Sequence, residues 1–528
     1  MAPALAKMPV RPAGFGQASG GGMASRKRAA ASGGQHERMS AVDTAWLRMD
    51  GPASTMMIVS VMTTATPVPA ADLRRILETR LLCFPRFRKR VETDPLGASW
   101  IEDSDFDLDA HFVVTGLPGR GGRRELQTLA ARLAGERFDP ARPLWQLHFV
   151  ERYGTGSAWV LRLHHCYADG VAMIRVLLSM TGQDPSAAPA GRRARRTGKA
   201  TGEAAPGPAP LFDWLNRFTQ PTGDIVEHLL AEGARLLEGG IHRAFHPQTA
   251  ATVAVQAGSM IGEFAKVLAL PDDPATPLRG PLSGTKAIAW ADPIALADVR
   301  TIGRALDCTV NDVVMATVAG ALGGHLRDRG FDTDELVLRA SVPVNLRTAS
   351  EPHSLGNKFG LVFVDMPVGV RNPLQRVFAM HDTMKGVKES VQPPMTLAAL
   401  GIMGMLPGAL QVPAVDSLSR KGSVVVSNVP GSQAPLYMCG QRITEMHFWV
   451  PQSGTIGVGI SVLTYAGQVH FGVIADRNLI DDPASLADRF APEFEKLLLA
   501  VTMGMLATRK RRPATQPRKA RKKAAATT

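Results

Sequence analysis

Leu163-His164-His165-Cys166-Tyr167-Ala168-Asp169-Gly170 is the stretch on which the reading of this chain turns. Before it, Leu144-Trp-Gln-Leu-His-Phe-Val-Glu151 and Ser157-Ala-Trp-Val-Leu-Arg-Leu-His164 read as neighbouring strands joined by a glycine-containing turn. After it, Gly170 to Met180 has helical periodicity. The setting is strand, tight loop, helix start. A strand end holds a side chain firmly while leaving it open to a crevice, and imidazole, with an ordinary pKa of about 6.5, takes a proton from a hydroxyl near neutrality. His165 is therefore the candidate general base. Successive strand residues point to opposite faces, which makes His164 structural and places Cys166 in packing. The same geometry argues against a metal chelate at the histidine pair, because no third ligand is spaced for one. Asp169 starts the next helix, where a carboxylate caps amides or pairs with an arginine; Arg347, after the strand Ala340–Val344, is the candidate partner. Gly170 lets the backbone approach closely.

Working outward, the ordered chain is expected to begin near Met39, where Ser40 to Trp46 opens a helix. A strand over Met57–Thr63 and helices over Ala70–Leu82 and Arg124–Ala134 follow. Residues 183–210 are rich in Pro, Ala, Gly and Arg and read as a linker, with mostly helical sequence from Phe212 to Leu270. A second α/β block starts near Leu278, with helices Pro293–Leu306 and Val310–Arg327 and a strand Leu336–Val344. A hairpin, Ile456–Tyr465 with Val469–Ala475, turns at Ala466-Gly467, and a helix Pro483–Met503 closes the block. The expected division is a basic extension over 1–38, an N-terminal subdomain over 39–182 and a linker with a helical connection over 183–275. A C-terminal subdomain over 276–505 and a basic tail over 506–528 complete it.

The formal charge of +13 is unevenly placed. Nine basic residues and no acid lie in 509–528, six and Glu37 in 1–38, and five between Arg192 and Lys199. These segments together exceed the whole net charge, so the remainder is mildly acidic and the basicity sits on appendages. Such runs are usually only solvated; their functional reading is an anionic partner, a lipid surface or nucleic acid. Four cysteines without CxxC spacing suggest neither a zinc site nor a disulfide framework and fit a reducing compartment. No secretory signal is read in 1–38, although the composition leaves a transit peptide open. The longest uncharged run, Val391–Val415, carries Pro393, Pro394, Pro407 and Pro413, which spoils a spanning helix. It reads either as lining a lipid-accessible surface or an acyl pocket, with Met395, Leu397, Leu400, Met403, Met405 and Leu406, or as a buried core helix pair.

The HHxxxDG pattern resembles the condensation-domain superfamily with the chloramphenicol acetyltransferase-like fold. Within it, the chain is similar to the bacterial wax ester synthase/acyl-CoA:diacylglycerol acyltransferase family, over residues 39–504. The matching elements are Met39-Ser-Ala-Val-Asp43, Pro143-Leu-Trp145, Thr276 to Gly284, Asn311-Asp312, Gly356-Asn-Lys-Phe359 and Ser427-Asn-Val-Pro-Gly431. Gln146 stands where the family commonly has an acid, and Met56-Met57 where it has Met-His, which leaves acceptor preference open. Each accessory element also has a structural reading. Thr309 to Asp312 fits a capping box, Trp145 fits sheet packing, and Asn428 and Gly431 fit a turn.

The resemblance implies an α/β protein of two chloramphenicol acetyltransferase-like subdomains with the active site in a tunnel between them. It implies transfer of a long-chain acyl group from acyl-CoA to diacylglycerol or a fatty alcohol, with His165, His164, Asp169 and Gly170 at the catalytic motif. Asn311, Asp312 and Trp145 are its supporting or substrate-binding candidates. No nucleophilic Ser or Cys stands in an activating motif, so direct transfer without an acyl-enzyme is expected. No metal and no cofactor beyond the acyl-CoA substrate is expected, and the location is cytoplasmic, peripheral to membrane or lipid droplets. It is the family resemblance that favours lipid over nucleic acid as the anionic partner of the basic segments. Two other readings share these features: a condensation-type enzyme using a carrier-bound donor, and a catalytically silent lipid-surface protein.

Overall fold

The computed structural model describes residues 36–95, 97–183, 269–347, 355–388, 392–405 and 408–510. The basic extension up to residue 35, nearly all of the expected linker and helical connection, and the tail beyond 510 lie outside them.

In chain order the first half contains β1 (Glu37–Arg38), α1 (Ala41–Met49), β2 (Met57–Thr64), α2 (Ala70–Thr79), β3 (Lys89–Asp94), β4 (Gly97–Glu102), β5 (Phe112–Thr115), α3 (Arg123–Gly135), β6 (Trp145–Tyr153), β7 (Gly156–His164) and α4 (Gly170–Met180). The second half contains β8 (Lys286–Trp290), β9 (Ile294–Ala295), α5 (Leu296–Leu306), α6 (Val310–Asp328), β10 (Leu338–Asn345), β11 (Phe359–Met366), α7 (Pro373–Lys388), α8 (Gln392–Met405) and α9 (Gly408–Ser419). It ends with β12 (Val424–Pro430), β13 (Tyr437–Met438), β14 (Gln441–Trp449), β15 (Val458–Tyr465), β16 (Gln468–Asp476), α10 (Ala484–Ala487) and α11 (Phe490–Lys510).

Two large sheets carry the molecule. One has the order β13-β14-β2-β7-β6-β5; the other is β11-β10-β12-β15-β16-β8, with β9 also on β16. The central strand β7 shows why these residues make a strand. Trp159, Leu161 and Leu163 enter one core and Ala158 and Val160 the other, so the two-residue period buries both faces. In the second half, α6 is buried continuously from Asp312 to Leu326 and forms the spine of a separate core.

The expected boundaries shift at four places. Glu37 and Arg38 are not part of a loose extension: they pair with Trp100 and Ser99, and Arg38 forms an ion pair with Asp94. The closing helix α11 runs on to Lys510, past the expected start of the tail. Asp273, expected in the connection, is buried in the second half, where it accepts from the amide of Arg339 at 3.0 Å and from the Ser423 hydroxyl. Finally β13 and β14, inside the expected C-terminal subdomain, belong to the first sheet, where β14 pairs antiparallel with β2. A third core joins Val59, Leu126 and Val160 to Ile288, Trp290 and Ile474, so the halves share a packed interior.

Among the described residues no single helix is long and apolar enough to cross a membrane. The pair α5–α6, bent by 103°, meets the length and composition together, but its longer member is the buried spine just described. The described residues of the uncharged run form a helix pair, α8 and the first part of α9. Gly404 brings α8 so close to α1 that a Cβ there would meet the Ala41 carbonyl oxygen at 1.7 Å.

Candidate active site

The end of β7 delivers the histidines. The His165 amide donates to the Met56 carbonyl at 2.8 Å, one residue past the strand, and its own carbonyl accepts from Asn357 Nδ2 at 2.7 Å. Both backbone groups are thereby fixed. The imidazole stacks on Trp46, with ring centroids 4.3 Å apart and planes 17° apart, and Phe359 packs beside it at 5.5 Å. Nδ1 is buried, which leaves Nε2 on the cavity side. Burial pushes the imidazole pKa down to about 4, against the weaker opposing pull of its own backbone and Asp169. His165 is therefore neutral at physiological pH, the form that accepts a proton.

His164 turns the other way. Its Nδ1 accepts from the Cys166 amide at 3.2 Å, its Nε2 lies 3.8 Å from Asp50, and it is absent from the cavity wall. Cys166 lies in the turn beyond β7 rather than on the strand, and is buried in the first core.

Asp169 is the N-cap of α4, accepting from the Ala172 amide at 2.9 Å. Its second oxygen accepts from Arg347 Nε at 3.2 Å and Nη2 at 2.9 Å, and from the Lys358 amide at 2.9 Å. The expected Arg347 partner is in place, and the carboxylate is committed to holding the loop. Arg347 also donates to the Gly356 carbonyl, and the Gly356 amide donates to Tyr167 O at 3.0 Å. Gly356 has φ of +108°, which strains any side chain, and a Cβ there would sit tightly against Asp43 Oδ2 at 3.2 Å. Gly170 differs: a Cβ there would meet only Val429 at 3.9 Å, and the residue lines the cavity. The space in front of Gly170 is cavity, not the neighbouring backbone expected from its sequence setting.

The cavity lies between the halves. Trp46, Met49, His165 and Asp169 to Val171 form one wall; β10, β11, α8, α9, β12 and the segment between β14 and β15, with Val450, Pro451, Ser453 and Ile456, form the rest. Its lining is overwhelmingly apolar, with Leu361, Phe363, Leu400, Met403, Leu418 and Val429 among the side chains. Leu400 and Met403 are 5% and 4% exposed, so they belong to the buried helix pair and line the cavity at once. The two readings of this run were not exclusive. The side chains of Met395 and Met405, and residue 406, are outside the described set.

Three of the supporting candidates stand elsewhere. Trp145 is fully buried under the sheet, donating to the Phe87 carbonyl at 2.8 Å and stacking on His111, and it does not line the cavity. Asp312 caps α6 in a capping box with Thr309 and accepts from His381 Nδ1 at 2.8 Å. Asn311 stays one step removed: its Oδ1 accepts from Nδ2 of Asn428, at 2.7 Å, and Asn428 lines the cavity. Gln146 accepts from Arg162 at 2.6 Å, where an acid would have paired with that arginine, and neither it nor the Met56-Met57 pair is on the wall.

Two residues that carry the site were not assigned roles from sequence. Asp43 Oδ1 accepts from both the amide and Nδ2 of Asn357, at 3.0 and 2.7 Å, and Asn357 holds the His165 carbonyl. Burial raises the Asp43 pKa, while Arg86 and the Asn357 bonds resist that. The signal for both lay in the Met39–Asp43 and Gly356–Phe359 elements, but nothing in one dimension says that residues 314 apart meet.

Two α/β halves with an HHxxxDG loop facing a cavity between them define a chloramphenicol acetyltransferase-like acyltransferase. The fold matches the wax ester synthase/diacylglycerol acyltransferase of Marinobacter aquaeolei with a TM-score of 0.59 at 21% identity, over 88% of this chain and 100% of that one. It matches the first condensation domain of the calcium-dependent antibiotic synthetase with a TM-score of 0.54 at 15% identity, over 88% and 96%. In sequence, the wax ester synthase/diacylglycerol acyltransferase catalytic domain matches residues 39–314, and the WS/DGAT C-terminal domain matches 355–498. A probable diacylglycerol O-acyltransferase of Mycobacterium tuberculosis is 29% identical over 464 residues, covering 84% of this chain and 91% of that protein. A putative diacylglycerol O-acyltransferase of the same organism is 28% identical over 483 residues, covering 88% and 90%. The chain belongs to the wax ester synthase/diacylglycerol acyltransferase family and is an acyltransferase, taking one acyl donor and one acceptor.

Proposed function

We propose that this enzyme moves a long-chain acyl group from acyl-CoA to the hydroxyl of diacylglycerol or a fatty alcohol, with His165 as general base. The observation that carries the reading is the His165 imidazole, stacked on Trp46, with its backbone carbonyl held by Asn357, on the wall of an apolar cavity between the halves. Nε2 takes the hydroxyl proton as the alcohol oxygen bonds to the thioester carbonyl carbon. The C–S bond then breaks, and the coenzyme A sulfur leaves with the proton that His165 returns. The step balances without a metal or redox partner. Asp169 does not relay charge in this scheme. With Arg347 and Lys358 it holds the loop that aims the ring, and Asp43 with Asn357 does the same from the other side. The apolar wall excludes water, which would otherwise hydrolyse the thioester.

Purified protein, labelled acyl-CoA and a panel of alcohols and diacylglycerols test the assignment. Ester formation from the coenzyme A donor is expected; transfer only from a carrier-protein donor would favour the condensation-type alternative. Contact with a membrane or lipid droplet from the cytoplasmic side fits the basic tail Arg509–Lys523, since each basic residue near an anionic surface contributes about 1 kcal/mol. Co-sedimentation with anionic liposomes should fall when the tail is removed and should weaken with salt.

A further inference from the structure

Away from the cavity wall, the turn between α5 and α6 meets α7 and brings three ligand-type side chains together. One candidate ligand atom from each of Cys308, Asp312 and His381 lies within 4.8 Å of the other two. His381 Nδ1 and Asp312 Oδ2 are already 2.8 Å apart, the carboxylate 2% exposed and the imidazole 36%. The Asp312 carboxylate also accepts from the Thr309 amide at 2.9 Å, which orients it.

We propose that Cys308, Asp312 and His381 form a divalent-cation site of zinc type, separate from the reaction cavity. One thiolate, one imidazole and one carboxylate make a donor set that zinc takes with bonds of about 2.0–2.3 Å, leaving a fourth position to water. Tetrahedral ligands at such bonds stand about 3.4 Å apart, so a set already within 4.8 Å closes through small side-chain rotations. Binding forms the S–metal bond and releases the thiol proton to solvent. The ion would clamp the start of α6 to α7. The clamped start of α6 carries Asn311, whose side chain accepts from Asn428 on the cavity wall.

Titration of the tag-free, full-length protein with Co²⁺ decides the matter. One equivalent should bind with thiolate-to-cobalt charge-transfer absorption, and Zn²⁺ should displace it. Cys308→Ser should abolish that absorption. His381→Ala should weaken binding by at least about 100-fold, since losing even an outer support costs 10–100-fold. Both variants should keep the far-UV circular dichroism of the parent. An undiminished band in Cys308→Ser, or no band in the parent, overturns the proposal. Should Cys308→Ser fail to fold, His381→Ala decides alone, and unchanged Co²⁺ affinity in it refutes the site.

Discussion

His164 and His165 are adjacent, equally buried, and both pushed down to a pKa of about 4 by that burial, yet they belong to different regions of the molecule. His164 lies between Asp50 and the Cys166 amide and does not line the cavity that His165 faces. His165 faces Trp46, Phe359 and the apolar space between the halves. Titration behaviour does not separate them; access does. A perturbed imidazole is thus a candidate base only where a substrate oxygen can reach it.

The sharpest way to break this contrast is to remove each ring in turn. His165→Ala should lower turnover by about 10²–10⁴-fold with acyl-CoA binding largely kept, measured by single-turnover transfer and by equilibrium binding. Near-normal transfer in a well-folded sample would remove the central claim.

The next largest effect falls on the support. Asp169→Ala removes the α4 cap and the buried carboxylate that Arg347 and the Lys358 amide share, and should cost about 1 kcal/mol or more of stability as well as rate. A denaturant melt checks it; a rate loss at full stability would instead point to a direct chemical role for Asp169.

Changing pH sharpens the comparison differently. The His165 base form is fully present above its folded pKa, so turnover limited by chemistry should rise through about pH 4 and be flat near neutrality. Stability follows its own course. His148, His164, His165, His325 and His470 all have depressed folded pKa values, so below about pH 6.5 the unfolded chain binds protons that the folded chain refuses. The melting temperature should therefore fall from about pH 6.5 toward about 4. A flat profile across that window would contradict the buried, neutral assignment.

His164→Ala should give the smallest change in chemistry: a modest stability loss from the vacated packing, with turnover per folded molecule reduced far less than in His165→Ala. Equal losses would mean that the two faces are not functionally distinct.

Much of this was legible along the chain. Ser157–His164 read as a strand and is one, and the strand-loop-helix setting of HHxxxDG put Asp169 at a helix start, where it caps α4 and meets the expected Arg347. Thr309–Asp312 declared its capping box by spacing alone. These are local properties: strand period, cap chemistry and turn residues act over a few positions, so a sequence carries them openly. What only the tertiary structure decided are the meetings of distant residues. Asp43 with Asn357, Gly404 against Ala41, β14 beside β2 and Cys308 near His381 each join segments that no periodicity connects. The same is true of absence: Trp145 lies in the matching motif yet is held under the sheet, away from the cavity. A motif fixes which residues stand together in the chain, whereas which of them reaches the cavity depends on how the two sheets pack.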